Sequence, residues 1–339
     1  MGEWSTGVLE RLRGAFSGPE WESAVAAARQ ENEWFTPRQV ARAVAALREE
    51  MLAPQQLGEW LSAYRKPAGW QPGRVGIVMA GNLPLVGFAD LAAVVAVGHE
   101  AVVKPSSKDR ALTGYVVRQL QRGGCSVRMT DELRPEELDG VIATGGDAAR
   151  EHFARRFAGV PALLRGSRQS VAVLAGNEDD AALKGLAEDM FLYWGLGCRS
   201  VTRLFVPEGY DVRRLAEKLS TLSPLETDEG RRYAECYRYA RAMAAMSGGR
   251  WVDGGFFVLR QVEPDAPPAV PKLAEAWWSE YRSSDEVAQW LAGYEKKLQC
   301  AAGAAPEGFP RRVALGMTQR PGWNDYADGT DTVEFLLRL

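Results

Sequence analysis

Through the first seventy positions apolar residues recur at three- and four-residue spacing, among them Val25, Ala26, Val40, Val44, Ala45 and Leu47, and charged residues fill the intervals. That period belongs to amphipathic helices buried along one face, so this region is expected to be helical. From Arg74 the pattern changes to short β-rich runs alternating with helical stretches, the rhythm of a parallel sheet with crossover helices. Strands are expected at Val75–Met79, Ala101–Val103, Ser126–Met129, Val141–Ala143, Val171–Leu174 and Arg203–Val206. Helices are expected at Leu83–Val97, Arg110–Arg122, Asp147–Phe157, Asp179–Trp194 and Asp211–Leu222. The stretch 263–271 holds four prolines, each of which removes an amide donor and restricts the residue before it, so it reads as an extended strap. The closing apolar run Val333–Leu337 reads as an edge strand.

A chain of 339 residues is long for one core and fits an α/β protein of two lobes with a cleft between them. Its net charge of −3 gives no electrostatic case for nucleic acid. The opening residues lack a basic run followed by an apolar core, and no stretch approaches the ~20 apolar residues of a membrane span, so a cytoplasmic location is expected. Cys125, Cys198, Cys236 and Cys300 lie far apart without a C-x-x-C pair, which argues against a disulfide framework and against a metal site.

The strongest chemical signal is Gly195-Leu196-Gly197-Cys198-Arg199-Ser200, a loop between an amphipathic helix bearing Leu183, Leu186, Met190 and Trp194 and the next strand. Two glycines permit positive φ and close approach of a substrate to the backbone, and Arg199 beside the sulfur favours the thiolate. From composition alone Cys198 would be a small core residue; the loop makes it a candidate nucleophile, with its own N–H directed at an oxyanion. A hydrolase would pair it with a histidine. The two histidines, His99 and His152, sit in the first half and read as surface or capping residues.

Three strand ends add polar chemistry. Met79-Ala80-Gly81-Asn82-Leu83-Pro84 closes one β run, where Asn82 is either a helix N-cap or an oxyanion donor. Val103-Lys104-Pro105-Ser106-Ser107 closes another, with Lys104 either a surface lysine or a ligand for a ribose hydroxyl or phosphate, and Ser106 beside it. At the third, Thr144, Gly145 and Gly146 lead into a helix whose N-terminus suits a phosphate. Neither G-x-G-x-x-G nor a P-loop is present.

Taken in order, G-N-L-P-L, V-V-K-P-S-S, A-T-G-G and G-L-G-C-R-S resemble the landmarks of the aldehyde dehydrogenase superfamily. Val78–Asp90, Ser170–Asn177 and Tyr193–Gly209 are similar to the LuxC-type acyl-CoA reductases, the fatty acid reductase branch, with a weaker echo at Trp323–Gly329. The resemblance implies an aldehyde dehydrogenase-like fold of two open, parallel-sheet, Rossmann-like lobes. It places the N-terminal helices and cofactor lobe at residues 1–196, the cysteine-bearing catalytic lobe at 197–315, and at 316–339 a tail returning to the first lobe or to a neighbouring subunit. It also implies a homo-oligomer, with or without an acyl-transferring partner enzyme. The implied reaction is NADPH-dependent reduction, with NADH as the alternative cofactor, of a fatty acyl-CoA or acyl-protein thioester to the aldehyde. Catalysis falls to Cys198 and Asn82, and cofactor binding to Gly81, Lys104, Ser106, Thr144, Gly145 and Gly146. Relatives that form acids carry a glutamate base before the cysteine, whereas the equivalent stretch here reads Leu164-Arg165-Gly166-Ser167-Arg168-Gln169-Ser170. Hydride transfer needs no water-activating base, so this favours a reductase. Arg165 and Arg168 are then candidates for phosphate contacts or ordinary surface arginines. An oxidative dehydrogenase and a noncatalytic acyl-holding subunit remain as rival readings.

Overall fold

A computed structural model describes residues 6–222, 230–323 and 325–339, and the chain divides into two compact units, Met1–Ser167 with Pro321–Leu339, and Arg168–Arg320. The first unit opens with α1 (Thr6–Gly14), α2 (Trp21–Glu31), α3 (Pro37–Ala46) and α4 (Pro54–Ser62). Helix α3 starts where the sequence dictates, because Pro37 suits the first turn and the Thr36 hydroxyl accepts the Gln39 N–H. Then follow β1 (Arg74–Val78), α5 (Phe88–Val97), β2 (Glu100–Lys104), α6 (Arg110–Arg122), β3 (Val127–Met129), β4 (Gly140–Thr144), α7 (Asp147–Arg156) and β5 (Ala162–Arg165). They build a wholly parallel sheet of order β3-β2-β1-β4-β5. Helix α5 is buried on every side but Ala89, because its Leu91 and Val94 share one core with strand residues such as Ile77 and with Phe16 and Phe35 of the N-terminal region.

The second unit holds β6 (Gln169–Val173), α8 (Asp180–Phe191), β7 (Val201–Pro207), α9 (Val212–Thr221), α10 (Arg231–Ser247), β8 (Trp251–Asp253), β9 (Val258–Gln261), β10 (Glu275–Tyr281), α11 (Ser284–Gly293), β11 (Leu298–Gly303) and β12 (Arg312–Val313). Its sheet has the order β12-β11-β6-β7-β10-β9-β8 and is mixed, since β8 runs antiparallel to β9. The proline-rich strap joins β9 to β10. Arg203, fully buried on β7, donates to the carbonyls of Ala266, Glu263 and Pro264 and to Ser279 Oγ at 2.6–3.0 Å, and its guanidinium lies over the rings of Phe205 and Trp290. Prolines cannot satisfy one another's carbonyls, and here the arginine does so.

The division between units falls at Ser167/Arg168 and Arg320/Pro321, not at 196/197 and 315/316. Strand β6 explains the shift: it pairs with β11 and β7, so it and α8 belong to the second sheet. A parallel strand followed by a helix reads the same in sequence whichever sheet it joins. The helix expected from Leu83 begins at Phe88, residues 84–87 forming a turn instead.

The tail Val333–Leu337 is not a strand but part of α12 (Thr332–Leu337). Asp331 Oδ1 accepts the Glu334 N–H, and the buried positions Val333, Leu336 and Leu337 fall at helical spacing. This helix packs on α5 within the first unit, Trp323 stacks on Trp60 with ring centroids 3.8 Å apart, and Leu339 fills the space left by Gly140. Within the Trp323–Gly329 echo, Asn324 lies outside the described residues.

Candidate active site

In the first sheet β2 and β3 lie on one side of β1, and β4 and β5 on the other. The chain order therefore reverses between β1 and β4, the switch point beyond whose carboxyl edge open α/β sheets bind ligands. Gly81 and Asn82 follow β1, Ser106 follows β2 just after Lys104, and Thr144 closes β4 ahead of Gly145 and Gly146. All seven residues thus meet one edge of one sheet. A Cβ on Gly81 would stand 2.4 Å from Ser106 Oγ, so only glycine lets these two loops approach so closely. Asn82 is exposed and is not a helix cap, that position belonging to Gly87. The half-buried Lys104 ammonium makes no ion pair or hydrogen bond among the described residues.

Residues that carry no motif brace this edge. Asp109, 1% exposed, accepts the N–H of Leu85, whose φ of 57° is left-handed, and burial pushes the Asp109 carboxyl up to about 8. Because Asp109 faces the Asn82 loop, its own helix α6 is capped from elsewhere: Glu31 Oε2 accepts the N–H groups of Arg110 and Ala111, both at 2.9 Å. Asn32 Nδ2 donates to Gly81 O at 3.3 Å. The end of α2 therefore braces both the loop after β1 and the start of α6. At the third strand end Gly146 caps α7, and Asp147 in the first turn accepts the Ser167 N–H. A phosphate there would meet the glycine backbone beside a carboxylate already engaged.

Two expectations need correction. Arg165 is neither a surface residue nor a phosphate ligand: it is 4% exposed, with Nη1 on Asp90 Oδ2 at 2.6 Å and Nη2 on Thr332 Oγ1 at 2.9 Å. It closes β5, an edge strand, with its side chain turned inward, and Asp90 on α5 is its counter-charge. His99 is likewise buried, with Nδ1 accepting the Gly73 N–H at 2.8 Å and Nε2 donating to Leu336 O. Burial lowers its pKa, and it ties α12 to the sheet.

Cys198 belongs to the second unit, at the amino edge of β7. It is exposed, not a core residue, and none of the cysteines is in a disulfide. Helix α8 ends in a kink where Tyr193, Trp194 and Gly195 all take left-handed φ of 53°, 62° and 72°. Such conformations cost on the order of 1–3 kcal/mol for each non-glycine residue and persist only where the surroundings enforce them. Gly197, expected to share that freedom, is not left-handed. Trp194 is enforced by packing on Tyr233.

The loop is fixed from two sides. Ser170 Oγ donates to Cys198 O at 3.0 Å and contacts Cys300 Sγ at 3.1 Å, and desolvation holds that buried thiol up at about 11, neutral at physiological pH. Ser200 Oγ accepts the Gly197 N–H at 3.2 Å, and Gln319 Nε2 donates to Ser200 Oγ at 3.3 Å. Ser170 and Gln319 carried no signal in the sequence. Asp189 did: it interrupts the apolar face of α8 between Leu186 and Met190, and it is fully buried. Among the described residues no cluster of three metal-ligating side chains occurs and no helix is long and apolar enough to cross a membrane.

Comparison with known proteins places this geometry. The N-succinylglutamate 5-semialdehyde dehydrogenase of Photorhabdus laumondii subsp. laumondii is 26% identical over 150 residues, 39% of this chain but only 30% of that protein's length. Aldehyde dehydrogenase C of Pseudomonas syringae, solved with NAD+ and octanal, matches 91% of this chain and 76% of its own at a TM-score of 0.65 and 14% identity. Aldehyde dehydrogenase 21 of Physcomitrella patens, solved with succinate, matches 98% and 82% at a TM-score of 0.66 and 15% identity. These structures establish an aldehyde dehydrogenase-like α/β fold. The family model of acyl-CoA reductase (LuxC) matches residues 19–226, more than half of the sequence. The chain belongs to the LuxC acyl-CoA reductase family.

Proposed function

We propose that this chain is an oxidoreductase that reduces an acyl thioester, a fatty acyl-CoA or an acyl-protein, to the aldehyde through a thioacyl intermediate on Cys198. The observation that carries this reading is an exposed cysteine in a loop whose backbone is hydrogen-bonded on both sides. Such a thiol is accessible to a substrate yet held in one geometry, which is what nucleophilic catalysis requires.

The first-unit sheet edge fits a nicotinamide dinucleotide: the Gly81 cradle admits a close backbone approach, and Lys104 offers a cation. Gly81, Lys104, Ser106, Thr144, Gly145 and Gly146 would hold the cofactor, NADPH by the family resemblance and NADH as the alternative. When bound, the reduced nicotinamide supplies the hydride. Cys198 attacks the thioester carbonyl, and the Cys198 N–H would receive the tetrahedral oxyanion; the role of second donor falls to Asn82 by the family resemblance alone. Collapse expels the CoA thiolate, which takes a proton. After hydride reaches the thioacyl carbon, the second tetrahedral species expels the Cys198 thiolate and frees the aldehyde. No carboxylate is required, and the 164–170 stretch contributes none.

Intact-mass spectrometry after mixing with acyl-CoA in the absence of cofactor tests this. An acyl adduct that disappears in Cys198→Ala is expected, and its dependence on chain length names the substrate. An unmodified protein that nonetheless binds acyl-CoA sinks the reading. The semialdehyde dehydrogenase relative favours a second reading, oxidation of an aldehyde with NAD; initial rates in the two directions decide it. We also propose that the protein is a cytoplasmic homo-oligomer, with or without an acyl-transferring partner enzyme; sedimentation reads the oligomer.

A further inference from the structure

The segment 315–319 has no catalytic motif, yet it is zipped to α8 immediately ahead of the nucleophile loop. Asp189 Oδ1 accepts the Thr318 N–H at 2.9 Å and the Thr318 hydroxyl at 2.7 Å, while Oδ2 accepts the Gly316 N–H at 2.7 Å. The backbones touch: a Cβ on Gly185 would meet Gly316 N and Leu315 O at 2.8 Å. Anchored in this way, Gln319 is 7% exposed, and its Nε2 donates both to Asp189 O at 3.4 Å and to Ser200 Oγ at 3.3 Å. Ser200, 1% exposed, passes the restraint to the Gly197 N–H on the other side of Cys198.

We propose that Gln319 is a positioning residue for the nucleophile, a latch that ties both ends of the Cys198 turn, through Ser200 and α8, to a segment of chain some 120 residues away in sequence. The need for a latch follows from the left-handed run Tyr193-Trp194-Gly195, which stores strain directly upstream and relaxes unless the turn after it is held. Gln319 suits this task because one amide nitrogen carries two donors and reaches a helix carbonyl and a loop hydroxyl together. Replacing it leaves Asp189 O and Ser200 Oγ without that donor and lets the sulfur drift, and misplacement of a reacting atom by about 1 Å costs up to about 10²-fold in rate.

The inference rests on Cys198 being the nucleophile, so its test includes a readout that needs no acyl substrate. Alkylation by iodoacetamide is followed peptide by peptide in the native protein, Gln319→Ala, Ser200→Ala and the double variant. Expected are a change of about threefold or more at Cys198 with the rates at Cys125 and Cys236 unchanged, and a kcat about 10-fold lower with KM for acyl-CoA within about twofold. Because Gln319 reaches the Gly197 N–H through Ser200, the double variant should lose less than the sum of the two single variants. Ser200→Thr, which keeps the hydroxyl, should restore the native rates. Native alkylation and kcat in a folded Gln319→Ala, or losses that add in the double variant, overturn the latch. If Gln319→Ala does not fold, the Ser200→Ala and Ser200→Thr pair decides alone: a Cys198 rate that is the same in both overturns it. Absence of thioester turnover despite a latch-dependent Cys198 rate instead counts against the proposed reaction.

Discussion

The two sheets present their chemistry at opposite ends of their strands. In the first unit every candidate residue follows a parallel strand, at the carboxyl edge beside the switch point between β1 and β4. In the second unit Cys198 precedes β7, at the amino edge, on a helix-to-strand connection that no rule of sheet topology marks. A carboxyl-edge site comes almost free with the fold, needing glycines for approach and short polar loops. An exposed cysteine at an amino edge has to be held in place, and the second unit holds it with a left-handed kink, a buried serine below the loop and a glutamine beside it. If the comparison is right, the two sites fail separately. Cys198→Ala should abolish turnover, by about 10³-fold or more, while dinucleotide affinity measured by fluorescence quenching stays within twofold. Loss of affinity in that variant would break the separation.

The next largest effect lies in the first unit. Arg165→Met leaves the Asp90 carboxylate buried beside Thr332 without its counter-charge. Removing one partner of a buried pair typically costs about 3–5 kcal/mol, so thermal melting should shift down by many degrees. Replacing Asp90 with Leu in the same chain should recover much of that loss, because it removes the stranded charge. Additive losses would mean that the pair does not couple.

What was legible in the sequence divides along the same line. Strand ends carry their signals locally, in G-N-L-P and K-P-S-S, and the alternation of β and α runs located β1, β2, β4 and β7 within a residue or two. The braces were silent because they are long-range: Glu31 caps a helix 79 residues away, and Ser170 meets the carbonyl of a residue 28 positions on. The unit boundary is illegible for a related reason, since β6 joins the second sheet by pairing with β7 on one side and, on the other, with β11, some 130 residues later. Two misses were avoidable. Asp331-x-x-Glu334 ahead of an apolar run is a helix-start pattern that argued against a terminal strand, and Asp189 on an otherwise apolar helix face announced a buried partner.

The two units should also respond to pH differently. Desolvation raises the carboxyl of Asp189, which neighbours Glu188, from 3.8 to about 6, and that of Asp109, which faces Glu31, from 3.8 to about 8. In both cases the native state holds its proton more tightly than the unfolded chain. Each therefore contributes stability that is full below about pH 4 and is lost as pH rises through the native value. For Asp189 the loss is about 3 kcal/mol and is complete slightly above pH 6. For Asp109 it continues to about pH 8. His99, lowered by burial, acts in the opposite sense, but above about pH 7 it is neutral in both states. Between pH 7 and 8 hydrogen-exchange protection, taken relative to the intrinsic exchange rate at each pH, should thus fall in the first unit and not in the second, and Asp109→Asn should flatten that difference.

The smallest expected effect tests how literally the first-unit edge is shaped for a ligand's backbone approach. Gly81→Ala places a methyl group 2.4 Å from Ser106 Oγ and 2.6 Å from its Cβ, closer than any real contact, so one of the two loops must move. Both loops lie at the surface and the shift is a fraction of an ångström, so stability should fall by under about 1 kcal/mol. Dinucleotide affinity should fall by about 10-fold, because the backbone that would line the phosphates is displaced. Both contacts under 3.0 Å are to Ser106, with Lys108 Cβ next at 3.2 Å, and Ser106→Gly removes both of the offending atoms. The double variant should therefore regain most of the lost affinity, even though it has lost a serine hydroxyl proposed to bind the cofactor. Recovery would show that what this edge supplies is space and main chain. A double variant weaker than Gly81→Ala would show that the Ser106 hydroxyl binds directly, and the first site would then depend on placed side chains as much as the second.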